Sequence, residues 1–345
     1  MSCSGCAPIQ PVEDQGRVRF KPTNHLLAAV IQEKGLQSEL SAELAAVSYD
    51  SRDELFDLLQ HVYELPQEEI ARLEISITGK GRNELSSPWV SMMQMKARMM
   101  HYNVVDIIRQ ERFASHMQPI VDKDEQIVGF EFLLRPAPNS VEFHPYRLFE
   151  VARETGLHSF LDRAARISAI ETSAALLPRG IKRFINFLPS SIYNPEYCLS
   201  HTFKAIEKFD LDPADFVFEV VETEKIEDMN HLLQIFKAYR DHGMTVALDD
   251  VGSGYSTMEV MTMLKPDFVK IDRSLIDRCD QDAAKREQIL SIIERAECFG
   301  GRVLAEGIER REEFEFCRDS GIHLAQGYLF GKPADRPPQN VLWAV

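Results

Sequence analysis

The sequence predicts an α/β protein in which a (β/α)8 TIM-like barrel follows a smaller, mainly helical N-terminal region. Eight segments rich in Val, Ile and Phe follow residue 112, a composition typical of buried strands. Segments with helical periodicity, such as 231–242 and 283–299, lie between most of them. Each strand and its helix take about 29 residues, which suits a closed barrel. We therefore divide the chain into regions 1–111 and 112–345.

The short stretch between the first two strand candidates predicts one irregularity in the barrel. The candidates are 113–121, 127–134, 182–188, 215–221, 244–249, 267–271, 302–305 and 322–328. The stretch between the first two is far shorter than the dozen or more residues of a parallel crossover. We therefore expect an antiparallel hairpin at the start and a barrel with one irregular strand.

Region 1–111 is expected to be regulatory and to end in a linker helix. Ser51 and Glu54 form an S-x-x-E capping box before a run of apolar residues, and Pro66 precedes residues typical of a helix start. A third helix is predicted to begin at Ser87-Pro88 and to continue to about Arg112, with Met, Val and Ile at near-helical spacing. That apolar face either packs against its own domain or belongs to a helix that forms a dimer or transmits a signal.

Composition excludes several classes of protein. The chain carries 54 acidic and 39 basic residues, a formal charge of −15, with 44% apolar residues, which is typical of a globular protein. This charge repels long nucleic acids, although local cations could still bind a small anion. We expect no membrane span and no signal peptide, because the chain lacks the required apolar runs, so the cytoplasm is the expected compartment.

The six cysteines are too few for a disulfide framework. Cys3 and Cys6 form a C-x-x-C, which would suit half a zinc site or a redox pair. A structural zinc site needs four ligands, and no second pair follows. We therefore favour an unstructured tail.

Polar residues lie where the predicted barrel strands end, which is where such barrels place functional groups. They come from different strands: Glu131, Asn186, Glu219, Glu222, Asp249, Asp250, Lys270, Asp272, Glu306 and Gln326. One carboxylate near a strand end is more often a helix cap or a surface charge. Crowded carboxylates must share protons or bind divalent cations, and oxygen ligands without Cys or His indicate Mg²⁺ or Mn²⁺.

The adjacent Asp249 and Asp250 suit two metal ions about 3.5–4 Å apart, an arrangement used for phosphoester hydrolysis. Lys270 would orient water or offset charge, or else form a buried ion pair with Asp272. The glycine-bearing loop after Asp250 is either a gate coupled to the metals or a tight turn.

Seven ordered motifs resemble those of one family. They are EFLLR at 131–135, NFLP at 186–189, EVVE at 219–222, DDVGSGYS at 249–256, KID at 270–272, AEGIE at 305–309 and QGYLF at 326–330. Over residues 112–345 the chain is similar to EAL-domain cyclic-di-GMP phosphodiesterases.

The resemblance implies bacterial hydrolysis of cyclic di-GMP to linear pGpG with Mg²⁺ or Mn²⁺, two ions being expected, in a barrel whose first strand runs against the others. It leaves homodimer formation open. The implied metal ligands are Glu131, Asn186, Glu219, Asp249 and Asp250. Lys270, Glu306 and Gln326 would complete the catalytic site, and Glu222 would anchor the loop after Asp250. Arg135 would contact a substrate phosphate, and Leu133 and Gln326 would also bind the substrate.

Three positions depart from the family pattern, namely Phe132, Val221 and Val251. Phe132 should face away from Glu131, because strand side chains alternate, so we expect repacking without loss of a ligand. Val221 loses a hydroxyl, and Val251 is expected to loosen the loop. These departures support an alternative, a weakly active or inactive domain acting as a cyclic-di-GMP receptor or protein-interaction module. A barrel glycosidase with two carboxylates leaves Asn186 and Lys270 unexplained.

Overall fold

The computed structural model describes residues 12–84, 87–220, 228–252 and 258–338. Contacts divide the chain into an N-terminal unit, Met1–Arg112 with Val141–Leu161, and a barrel unit, Phe113–Ser140 with Asp162–Val345. Cys3 and Cys6 lie outside the described residues.

The N-terminal unit contains a five-stranded antiparallel sheet in the order β2-β3-β1-β4-β5. Its strands are β1 Gly16–Lys21, β2 Ser38–Leu40, β3 Ala45–Tyr49, β4 Glu74–Gly79 and β5 Val90–Ser91. Its helices are α1 His25–Glu33, α2 Arg52–Val62, α3 Gln67–Arg72, α4 Met92–Met100, α5 Tyr102–Arg109 and α6 Pro145–Glu154. Helix α2 begins after Ser51, whose side chain accepts a hydrogen bond from the Glu54 N–H as its cap.

The prediction of a mainly helical N-terminal region missed this sheet, although helices account for more of the region's described residues than strands do. In β1, Val18 and Phe20 belong to the apolar core, whereas Arg17, Arg19 and Lys21 alternate with them. Arg19 is itself buried and donates a hydrogen bond to Ser76 Oγ at 3.0 Å. The face of β1 that carries Arg17, Arg19 and Lys21 is polar even where it is buried. Such a strand lacks the run of Val, Ile and Phe by which the barrel strands were predicted.

The predicted linker helix is also divided. Helix α4 begins only after Ser91, whose hydroxyl accepts from the Gln94 N–H in a capping box, and α5 starts after a break at His101. Met92 is buried, but Met93 and Met100 are exposed, so the residues do not form one continuous apolar face. Segment 141–161, assigned to the barrel by the sequence, groups with the N-terminal unit because α6 contacts α4 and α5.

The barrel unit is a closed eight-stranded barrel in the order β10-β11-β12-β13-β6-β7-β8-β9. Its strands are β6 Phe113–Val121, β7 Ile127–Pro136, β8 Lys182–Phe187, β9 Phe216–Val220, β10 Thr245–Val251, β11 Phe268–Ile271, β12 Arg302–Ala305 and β13 Leu324–Gln326. Strand β6 is antiparallel to both β7 and β13, whereas the other pairs are parallel.

Helices follow each of the barrel strands from β7 to β12 along the chain. They are α7 His158–Leu176, α8 Pro195–Cys198, α9 Ser200–Lys208, α10 Met229–Asp241, α11 Met258–Leu264, α12 Arg273–Ile276, α13 Ala283–Glu297 and α14 Arg311–Asp319. No helix in the described ranges is both long and apolar enough to cross a lipid bilayer.

An apolar cluster inside the barrel forms the floor beneath the polar strand ends. It consists of Ile120, Phe184, Val217, Ala247, Phe268, Leu304 and Leu324. On each parallel strand of this set, a polar residue follows the floor residue by two positions, as Lys270 follows Phe268. Because side chains alternate along a strand, both residues face the barrel interior. The period of two therefore places the polar residues in one layer above an apolar base.

Candidate functional site

Lys270 lies at the centre of the polar layer and is fully buried. Its Nζ is 2.6 Å from Glu306 Oε1 and 2.9 Å from Asp249 Oδ1. It also forms an ion pair with Glu219, and Glu131 Oε1 lies 3.8 Å away. These four carboxylates come from four different strands or strand ends, so closure of the barrel brings them around one ammonium group.

The alternative prediction, a buried ion pair between Lys270 and Asp272, is wrong. Asp272 instead caps α12, where its Oδ1 accepts a hydrogen bond from the Ser274 N–H at 2.9 Å. Lys270 and Asp272 are two positions apart, so they would face the same side if β11 continued. The strand ends at Ile271, however, and Asp272 begins the turn into α12.

Amide side chains orient Glu131 from two sides. Asn186 Nδ2 donates to Glu131 Oε1 at 3.0 Å, and Gln326 Nε2 donates to Glu131 Oε2 at 2.6 Å. Gln326 Nε2 also contacts Gln118 Oε1 at 3.1 Å. Both carboxylate oxygens of Glu131 are therefore held in place.

Gln118 is a member of this layer that sequence reasoning missed. It lies on β6, and its own Nε2 donates to Gly331 O at 3.2 Å. The signal was present: Gln118 stands two positions from the floor residue Ile120, but before it. Because β6 runs opposite to its neighbours, the residues that reach the polar layer precede the floor residue in sequence.

The site concentrates negative charge away from water. Burial raises the pKa of Glu219 and Glu306 well above the ordinary carboxyl value and also raises the pKa of Asp249, and neighbouring carboxylates add to each effect. For Lys270, burial opposes the charged form, but the surrounding carboxylates outweigh it, so its pKa lies well above the ordinary value. One ammonium thus faces four acidic groups, and further positive charge would stabilise their ionised forms.

The donor set fits hard divalent cations. Oxygen atoms of Asp249, Asp250 and Glu306 all lie within 4.8 Å of one another. Asp250 has a φ of 54° and donates its N–H to Asp249 Oδ1 at 3.1 Å; aspartate is among the residues that tolerate this left-handed region. Carboxylate oxygens without nitrogen or sulfur ligands are what Mg²⁺ and Mn²⁺ favour.

Two further predicted residues lie on β7 beyond Glu131. Alternation puts Leu133 and Arg135 on the same face of the strand as Glu131, and both are partly exposed. Arg135 donates to Leu134 O at 2.8 Å. Glu222 and Val221 fall outside the described residues, as do residues 253–257 of the glycine-bearing loop.

The two described departures from the family pattern are both buried apolar residues. Phe132 is 4% exposed and packs in the apolar layer outside the barrel, while Glu131 faces the polar layer. Val251 is the last residue of β10, is paired with Ile271 and belongs to the same apolar layer. Neither substitution removes a group from the polar layer.

Comparison with known families decides the assignment. The family model for the EAL domain matches residues 103–333. This chain belongs to the EAL domain family.

Curated relatives of this EAL chain extend beyond it. It is 29% identical over 226 residues to the probable cyclic di-GMP phosphodiesterase PdeG of Escherichia coli (strain K12), which covers 63% of this chain and 43% of that protein. It is 27% identical over 235 residues to the blue light- and temperature-regulated antirepressor BluF of the same organism, covering 68% of this chain and 57% of that protein. The chain therefore spans about half the length of such relatives.

One solved structure is covered over nearly its whole length by the alignment with this chain. It is a standalone versatile EAL protein from Vibrio cholerae O395 in its c-di-GMP bound form, with 31% identity and a TM-score of 0.60. The alignment covers 66% of this chain and 94% of that chain.

Proposed function

We propose that this EAL chain is a metal-dependent phosphodiesterase that hydrolyses cyclic di-GMP to linear pGpG. The observation that carries the proposal is the complete acidic layer, in which Glu131, Glu219, Asp249 and Glu306 surround Lys270. Holding four carboxylates together away from water is unfavourable unless cations compensate them. A chain without a need for metal would gain stability by losing one of them.

The proposed metal ligands are Glu131, Asn186, Glu219, Asp249 and Asp250. Two divalent ions held by these residues would lower the pKa of an attacking water and offset the charge that develops on the phosphodiester. Asn186 and Gln326 hold the carboxylate of Glu131 in one orientation through bonds of 3.0 and 2.6 Å.

The remaining groups offset negative charge, contact the substrate or anchor the loop. Lys270 keeps its ammonium beside Glu306 and Asp249, where it offsets negative charge as the phosphodiester enters and orients the attacking water. Arg135 would pair with a phosphate of cyclic di-GMP, since guanidinium binds phosphate oxygens in a bidentate manner. Leu133 would contact the substrate from the same face, and Glu222 would anchor the loop after Asp250.

The test is turnover of cyclic di-GMP with Mg²⁺ or Mn²⁺, with products separated by chromatography. We expect pGpG, expect EDTA to abolish its formation, and expect Glu131→Gln to lower the rate by about 100-fold or more. Glu287→Gln makes the same chemical change on the exposed surface of α13 and should leave the rate unchanged. Absence of pGpG with both metals would refute the proposal.

A second candidate is a receptor or interaction module without turnover. Phe132 and Val251 favour it, because they depart from the family pattern on two of the strands that carry the site, where both belong to the apolar cluster. The same assay separates the candidates: binding of cyclic di-GMP without pGpG supports the receptor, and absence of binding supports a pure interaction role.

A further inference from the structure

The connection 306–310 carries Glu306 from β12 to α14, and backbone hydrogen bonds attach it to neighbouring strand ends. The Glu306 N–H donates to Ile271 O at 3.1 Å, and the Ile308 N–H donates to Gln326 O at 3.0 Å. Ile271 and Gln326 belong to the ends of β11 and β13. The position of Glu306 therefore depends on how this connection is held between the strands on either side.

One buried carboxylate holds the far end of the same connection. Glu313, in the first turn of α14, is 1% exposed. Its Oε2 accepts from the Glu309 N–H at 3.1 Å and the Arg310 N–H at 3.0 Å, and its Oε1 accepts from the Arg278 N–H at 2.9 Å. Hydrogen bonds to a charged acceptor are about twice as strong as those between neutral groups.

Helix capping accounts for only part of this arrangement. Bonds to Glu309 and Arg310 are those of a residue that closes the start of its own helix. The bond to Arg278 reaches a second connection, which follows α12 and so lies downstream of Lys270 on β11. Glu313 thus ties the connection that carries Glu306 to the connection between α12 and α13.

We propose that Glu313 is a positioning residue that keeps Glu306 against Lys270 and within the oxygen cluster of Asp249 and Asp250. The inference rests on the proposed function, since that function assigns Asp249 and Asp250 to metal binding and Glu306 shares their oxygen cluster. Loosening the 306–310 connection would let Glu306 leave its position 2.6 Å from Lys270. Residues that orient metal ligands typically contribute about tenfold or more to metal affinity.

Glu313→Gln is the informative change because it keeps the side-chain size and one acceptor oxygen. Its amide NH₂ faces backbone N–H groups, so either the Arg278 bond or the bonds to Glu309 and Arg310 are lost. Glu312→Gln is the matched control: it lies beside Glu313 in the same helical turn, and its carboxylate is exposed and pairs with Arg310 at 3.1 Å.

The experiment titrates the full chain with Mn²⁺ by calorimetry and measures amide deuterium exchange over 306–310. Glu313→Gln should raise the Mn²⁺ Kd about tenfold and speed exchange at Glu309 and Arg310, whereas Glu312→Gln should change neither. An unchanged Kd together with faster exchange would overturn the proposal, because the connection would then be loose without consequence for the metal. An equal rise for Glu312→Gln would also overturn it.

A milder variant keeps the test decisive if Glu313→Gln does not fold. Glu313→Asp keeps the carboxylate but shortens the side chain by one methylene, so it cannot reach the N–H groups of Arg278 and Arg310 together. It should raise the Kd in the same direction, and an unchanged Kd would count against the proposal. Neither readout needs turnover, so a wild type that binds Mn²⁺ without forming pGpG contradicts only the proposed function. A wild type that binds no Mn²⁺ overturns both.

Discussion

Lys270 is the residue that allows the acidic groups to share one end of the barrel. Its ammonium is buried, with Glu306 and Asp249 at 2.6 and 2.9 Å. Burying ions away from water is unfavourable by several kcal/mol for each ion, and only close partners compensate for it. The sequence placed Lys270 at a strand end, but it left open whether its partner was Asp272 or the site. The end of β11 decided this, because Asp272 follows the last residue of that strand and caps α12.

Lys270→Met should therefore destabilise the metal-free protein by about 3–5 kcal/mol, the range for removing one partner of a buried ion pair, and should abolish measurable turnover. Lys237→Met removes an exposed lysine that pairs with Asp241 on α10, and it should change the free energy of unfolding by less than about 1 kcal/mol. Urea unfolding of both variants without metal measures the difference. Equal stability of the two variants would contradict the account of Lys270.

Elements position the site through a few buried contacts at their ends. The Asp162 carboxylate on α7 pairs with Arg166 one turn away and accepts the Leu188 N–H at 2.9 Å. Leu188 follows β8 and lies two residues after Asn186. The pair thus fixes the point at which the chain leaves β8. The sequence predicts strand β8 from its apolar residues, but it contains no local signal that a helix residue holds its end.

Asp162→Asn should destabilise the barrel unit by about 3–5 kcal/mol, because it leaves Arg166 buried without a charged partner. Asp241→Asn breaks an ion pair of the same i,i+4 spacing between exposed side chains, and this should cost about 0.3–0.5 kcal/mol. Denaturant unfolding compares the two. If both variants lost the same stability, burial would not be the reason for the importance of Asp162.

Gly327 lies where β13 meets the 306–310 connection, and a Cβ there would come within 2.0 Å of Ile308 O. Gly327→Ala should cost about 2–4 kcal/mol, since backbone on both sides must shift. Gly300 has a φ of 77° and open space around it, so Gly300→Ala should cost only about 1 kcal/mol of backbone strain. Thermal unfolding distinguishes a clash from strain: a cost for Gly327→Ala no larger than that for Gly300→Ala would argue against the close approach.

At the scale of the whole molecule, the strands of the barrel unit are easier to recognise from sequence than the strands of the N-terminal unit. The barrel strands are apolar on both faces over most of their length, as in Phe216–Val220, so they stand out as strands. In the N-terminal unit, β1 mixes Arg17, Arg19 and Lys21 with Val18 and Phe20. A buried arginine bonded to Ser76 replaces apolar packing on that face, and composition alone therefore missed the sheet.

Stability of the whole protein should depend jointly on pH and Mn²⁺. Burial raises the pKa of Glu219, Asp249 and Glu306, so the folded metal-free protein holds protons that the unfolded chain releases at lower pH. This contribution is present at acidic pH and is lost as pH rises through the raised values. Binding of Mn²⁺ needs the ionised forms and therefore strengthens over the same range.

The increase in Tm caused by Mn²⁺ should accordingly be large at about pH 8 and small at about pH 5. At 100 times its Kd the ion should add about 2.7 kcal/mol to the free energy of unfolding. Differential scanning calorimetry with Mn²⁺ or EDTA at both pH values measures this. Lys270 remains charged throughout, because its pKa is raised, so the carboxylates alone account for the change. A Tm increase that did not vary with pH would contradict this linkage.

The sequence by itself determined where the barrel strands lie and which end of each carries polar residues, because apolar runs and the polar residues that end them are local features; strands 113–121 and 302–305 were predicted with the bounds that the structure has. Tertiary structure alone decided which groups meet: Lys270 with four carboxylates, Gln118 with Gln326, and Glu313 with Arg278. These pairings join residues far apart along the chain, and they depend on strand direction, register and barrel closure, which no local pattern encodes.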